Sequence, residues 1–137
     1  MSDTDRPLRP RPTITNDNRF WFDAARQHRL VIQRCTSCRA LRHPPSPVCP
    51  QCSSFEWDTV EASGRGTVYS FIVNHHPQHP AFDYPLRIAV VELEEGTRLI
   101  TELIDVDPAA VSIGMAVEAE FIDPDPELSL PVFRPTS

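Results

Sequence analysis

At 137 residues and 40% hydrophobic content, the chain can bury one modest core but not two large ones. No stretch of about 18 apolar residues is present, which excludes a membrane-spanning helix, and the start, Met1 to Arg6, lacks the apolar run of a secretion signal, so a cytoplasmic protein is expected. The net charge of -6 is unevenly divided: residues 1–44 carry nine arginines against four acids and residues 45–137 four against fifteen, and an acidic body disfavours broad nucleic-acid binding.

Between Arg6 and Pro12 proline alternates with mostly charged residues, which denies this segment a helix or a central strand and makes residues 1–15 an extended, flexible arm. Thr15 and Asn16 are good N-cap residues, and a helix within 16–29 is expected to run through Phe20, Trp21, Ala24 and Ala25 to about His28. Phe20 and Trp21 admit two readings: they pack the helix on its own domain, or they dock on a partner protein. The β-type runs 30–32 and 55–60 then flank two cysteine pairs, and together they define a ribbon over residues 30–62.

Gly64-Arg65-Gly66 reads as a turn, and each of the four glycines is assigned to one. Strands are expected over 67–73, 86–93, 97–103 and 115–122, with a weak last one near Val132 and Phe133. Glu94-Glu95-Gly96 joins two of them as a hairpin, and 107–111 forms one helical turn. The expected fold class is mainly β: an N-terminal helix, a rubredoxin-like zinc ribbon, then a small OB-type barrel over residues 63–137. An SH3-like barrel or an open sandwich are the alternatives.

The chemistry lies in Cys35-x2-Cys38-x10-Cys49-x2-Cys52. Two intervening residues let both thiolates of a knuckle reach one ion, and a second knuckle completes the tetrahedron zinc prefers. A rubredoxin-like iron site and a pair of disulfides are the competing readings. Four thiolates leave no open coordination position, so the expected zinc folds the ribbon and does not activate water. Arg39 and Ser53 stand where a knuckle needs a positive φ and glycine is usual, so some strain is expected there.

His75, His76 and His79 with Asp83 invite a second metal site, but Pro77 and Pro80 break the run, and a solvated histidine loop is the better reading. Phe82 and Tyr84 in that loop are candidates for a ligand or partner surface. No nucleophile elbow, phosphate loop, dinucleotide fingerprint or His-Glu metalloprotease motif is present. Glu92, Glu102, Glu118 and Glu120 read as a solvated outer face. Should a small phosphate ligand bind, Arg34, Arg39 and Arg42 beside the ribbon are the candidates, against their alternative as ion-pair partners.

The aromatic helix, the cysteine quartet, Gly64-Arg65-Gly66-Thr67-Val68, the Glu95-Gly96 hairpin, Ile113-Gly114-Met115 and Pro131-Val132-Phe133 follow one another in an order that resembles a known family. It is the zinc-ribbon plus OB-fold family called Domain of Unknown Function thirty-five, associated with acyl-CoA metabolism, and the resemblance covers about residues 16 to 135. Arg39 and Ser53 depart from its glycines. The resemblance implies a non-catalytic accessory subunit in a hetero-oligomer with a thiolase-like enzyme, such as a lipid-transfer-type thiolase or aldolase, or with a hydratase. Its setting would be steroid or fatty-acid side-chain degradation, where it supports the partner's fold or passes acyl-CoA between sites. A nucleic-acid-binding ribbon and OB module, and an independent CoA-thioester enzyme, are the alternatives.

Overall fold

The computed structural model describes residues 7–136. One helix, α1 (Arg19–Arg26), precedes strands β1 (Val31–Cys35), β2 (Leu41–Arg42), β3 (Trp57–Glu61), β4 (Arg65–Asn74), β5 (Leu86–Leu93), β6 (Arg98–Glu102), β7 (Ala116–Asp125) and β8 (Leu128–Pro135). A short 3-10 turn, Pro108–Ala110, lies before β7, and the Asp107 carboxylate caps it by accepting from the Ala109 amide. No described helix is long and apolar enough to cross a membrane.

The strands form two antiparallel sheets. In the first, β1 is central between β2 and β3, and this is the ribbon. The second has the order β6-β5-β4-β7-β8. Its edges meet at a single parallel bridge, Leu103 with Phe133, where the Ile104 amide donates to the Phe133 carbonyl at 2.8 Å. The sheet is thus OB-like in strand order, with one bridge in place of the continuous ladder that would close a barrel.

Alternation sets which side chains enter the core. Val68, Ala89, Val91, Leu99, Leu103, Val117 and Phe133 point inward and are buried, while Ile88, Val90 and Ile100 take the outward positions between them. Leu30 and Ile32 join the same cluster from the ribbon side, and Trp21, Leu41, Val60 and Ala62 pack against it. The base of the ribbon therefore shares the core of the larger sheet, whereas no residue between Leu41 and Val60 belongs to that cluster.

Several expectations change. The helix begins at Arg19, not at residue 16 or 17, because the Asn18 amide side chain takes the Thr15 N–H and donates to the Thr13 carbonyl. That occupies residues 15–18 in a turn, on which the Arg19 amide closes by donating to the Thr15 carbonyl. Described residues of the arm, 7–15, form neither helix nor strand, and two of its arginines are tied to the sheet. Arg9 pairs with Glu102 and lies over the Phe82 ring, and Arg11 forms a two-pronged pair with Asp125. The rest of that segment, 1–6, lies outside the described residues. Gly66 is in β4 rather than a turn. A Cβ there would sit 2.5 Å from the Glu92 carbonyl oxygen, so glycine is required by the close approach of β5.

Candidate metal centre

Each knuckle ends in backbone that closes on its first cysteine: the Arg39 amide donates to the Cys35 carbonyl and the Ser53 amide to the Cys49 carbonyl, both at 2.9 Å. Arg39 and Ser53 adopt φ of 70° and 65°, the left-handed conformation expected at those two positions. Without glycine, this geometry costs roughly 1–2 kcal/mol per residue, a cost the site must offset.

The four sulfurs lie within 4.8 Å of one another, the Cys35 and Cys52 Sγ atoms 3.5 Å apart and the Cys38 and Cys49 Sγ atoms 3.6 Å apart. A metal held tetrahedrally at about 2.3 Å from each thiolate requires sulfurs about 3.8 Å apart, so the quartet fits one ion. All four are free cysteines, and the separations are far beyond a covalent S–S bond of about 2.05 Å, which corrects the disulfide alternative. Among the described residues these four are also the one group of ligand-type side chains close enough to hold a metal. The histidine loop follows its solvated reading: His75 and His76 are exposed, and the His79 Nδ1 accepts from the Ala81 amide.

Without a cation the four thiols cannot all ionise side by side. Amides of Cys38 and Ser37 hold the Cys35 thiol down at about 6 despite its burial, and the Cys52 amide likewise lowers Cys49. The Ser54 amide favours the Cys52 thiolate, but the neighbouring thiols and burial outweigh it and push Cys52 up to about 12. A bound divalent cation removes that conflict by compensating all four charges.

Behind the sulfurs is a polar pin that sequence reasoning missed. Gln33, 2% exposed, donates through Nε2 to the Ser46 carbonyl and accepts from the Ser46 amide through Oε1, both at 3.0 Å. Arg42, also buried, donates to the same carbonyl from Nε and Nη2. The loop 43–48 that returns the chain to Cys49 is thereby fixed on β1 and β2 by four hydrogen bonds converging on one residue.

Of the three arginines singled out for phosphate, Arg34 makes a two-pronged pair with Asp58 and holds that carboxyl below its usual range, Arg42 is committed to Ser46, and Arg39 is exposed beside Cys38. Arg39 also contributes to lowering Asp58, so it and Arg34 lie near one carboxylate, while Arg42 is turned to the Ser46 carbonyl. The aromatic candidates also separate. Phe20 packs against Trp57 with ring centroids 4.6 Å apart and planes tilted by 48°, and Trp21 sits at the seam of helix, ribbon and sheet, lining a small cavity with Ile32, His43 and Leu99. Phe82 faces Arg9 and His79, and the Tyr84 hydroxyl accepts from the His79 amide.

A metal-binding ribbon whose base shares the core of an OB-like sheet defines the class. Comparison with known proteins agrees: a family described as the ChsH2 rubredoxin-like zinc ribbon domain matches residues 22–58, and one described as the ChsH2 C-terminal OB-fold domain matches 59–121. A solved chain of the Ltp2-ChsH2(DUF35) aldolase is 62% identical, with a TM-score of 0.89 over 91% of this chain and 98% of that one. The chain belongs to this DUF35 family of ribbon and OB-fold proteins. A DUF35 domain-containing scaffold protein of Methanocaldococcus jannaschii is 36% identical over 75% of this chain and 74% of its own. The 3-oxo-4,17-pregnadiene-20-carboxyl-CoA hydratase alpha subunit of Mycobacterium tuberculosis is 45% identical over 97% of this chain and 42% of its own length. The chain thus spans about two fifths of the hydratase subunits it matches.

Proposed function

We propose that the chain is a non-catalytic subunit that binds an aldolase of the thiolase type and supports acyl-CoA breakdown on a steroid side chain, with its ribbon folded around one zinc ion. The observation that carries this is the match along nearly the full length of the ChsH2(DUF35) chain in the Ltp2 aldolase. The hydratase relative acts on a pregnadiene carboxyl-CoA, a steroid thioester, and the archaeal relative is described as a scaffold. Zinc is favoured over iron because the matched ribbon is of the zinc type and the sulfur quartet needs only a closed tetrahedral ion. Cys35, Cys38, Cys49 and Cys52 would be its ligands, and such an ion supplies folding energy to the ribbon.

Mixing the purified chain with Ltp2 tests the reading. A stable hetero-complex on size-exclusion chromatography, about one zinc per chain by elemental analysis, and steroid acyl-CoA cleavage by the complex but not by the chain alone are expected. Turnover by the isolated chain, or failure of the two proteins to associate, would overturn it.

A further inference from the structure

The outward face of β4, β5 and β6 breaks the polar rule for a solvated sheet surface. Register places Ser70, Val90 and Ile100 side by side in one row and Ile72, Ile88 and Glu102 in the next. Ile72 is 60% exposed and Ile100 75%. The core does not need these side chains, because the inward positions on the same strands already fill it.

Two adjoining concavities cross this face. One, of about 280 Å³, is lined by Ile72, Ile88, Val90 and Ile100; the other, of about 400 Å³, shares Val90 and Ile100 and is walled by His43 and Pro44 of the ribbon. Together they make a shallow groove from the sheet to the seam with the ribbon. Charges along its rim are already satisfied within the chain: Arg98 pairs with Glu92 at 2.9 Å and lies over the Tyr69 ring at 3.7 Å, and Glu102 pairs with Arg9 at 3.2 Å. The groove therefore presents apolar surface and no free cation, which suits an apolar protein segment and not a phosphate-bearing ligand.

We propose that this groove, centred on Ile72, Val90 and Ile100, is the docking site for a convex apolar segment of the enzyme subunit, an inference that rests on the accessory role proposed above. Shape selects that occupant over a second copy of the chain. Two copies meeting through this face would oppose one concavity to another and leave both unfilled, whereas a protruding helix or loop fills the groove and meets the ribbon wall of His43 and Pro44 at its edge. The neutral rim adds no repulsion against a partner of either charge.

Binding to Ltp2, measured by calorimetry, tests this with three variants: Ile72→Glu/Ile100→Glu, the milder Ile72→Thr/Ile100→Thr, which keeps β-branched side chains on the strands, and Ile113→Glu, another exposed isoleucine placed in the turn before β7. The Glu pair should weaken binding roughly 100-fold and the Thr pair roughly 10-fold. Ile113→Glu should bind normally, and all three should keep their metal content and melting temperature. Unchanged affinity in the Thr and Glu pairs overturns the groove while leaving the accessory role intact. Failure of the unaltered chain to bind Ltp2 overturns both. A chain that dimerises alone, and is made monomeric by the Glu pair, shows that a second copy occupies the face.

Discussion

The tip of the ribbon and the OB-like sheet are stabilised by different means within one short chain. In the sheet, inward side chains such as Val68, Val91, Val117 and Phe133 are 0–1% exposed, and burial of apolar surface dominates. From His43 to Thr59 the ribbon contributes nothing to that cluster; its buried side chain is Cys49, and half-buried Ser46 is held from outside the segment by the buried Gln33 and Arg42. A segment this poor in apolar contacts cannot offset the entropy of ordering it by burial alone. A bound metal would supply what the core does not. The difference teaches that such an ion would act locally: it would hold the tip, while the base, through Leu30 and Ile32, is held by the sheet.

The largest effect is expected at the sulfurs. Cys35→Ser removes a ligand from a site whose metal contributes on the order of 10 kcal/mol in isolated ribbons and fingers. Metal content should fall towards zero and the tip should become protease-sensitive, while circular dichroism retains the signal of β4 to β8. Phe133→Ala attacks the other region. It empties a fully buried aromatic position beside the bridge to Leu103 and should lower global stability by about 4 kcal/mol in denaturant unfolding without changing metal stoichiometry.

A smaller change sharpens the contrast. Gln33→Ala leaves the Ser46 amide without its partner, and should cost about 2 kcal/mol while speeding metal loss to a chelator. Smallest at neutral pH is Arg11→Gln, whose effect is read in acid. Arg11 leads the causes that depress the Asp125 carboxyl, so the pair's contribution is present above the ordinary aspartate range and is lost as pH falls through the depressed value. Without Arg11 the folded value rises, and acid unfolding should begin at higher pH.

Much of this organisation was legible in the sequence because alternation and cysteine spacing are local signals. The strands β4 to β7 and the quartet follow directly from them. The strand β8 was harder to see, since Pro131 and Pro135 interrupt its pattern; it is tolerated because β8 lies at the sheet's end and pairs along its length only with β7. The Gln33, Arg42 and Ser46 pin was invisible because its three members meet only after β1 and β2 pair and the proline-bearing loop folds back. Arg9 and Arg11 read as part of a flexible arm, since their carboxylate partners lie more than ninety residues away in sequence. The metal ligands needed only spacing, whereas the apolar groove needed register: Ile72, Val90 and Ile100 come from three strands, and nothing local marks them as outward neighbours.

Hydrogen exchange on the metal-loaded and chelated protein tests the division between tip and sheet most directly. Removing the metal should erase protection at the knuckle amides of Arg39 and Ser53, which close on Cys35 and Cys49, while the amides of Val91 and Val117 in the sheet keep theirs. If protection is instead lost together across β1 to β8, or is unchanged at the knuckles, the metal does not fold the tip alone and the account is contradicted.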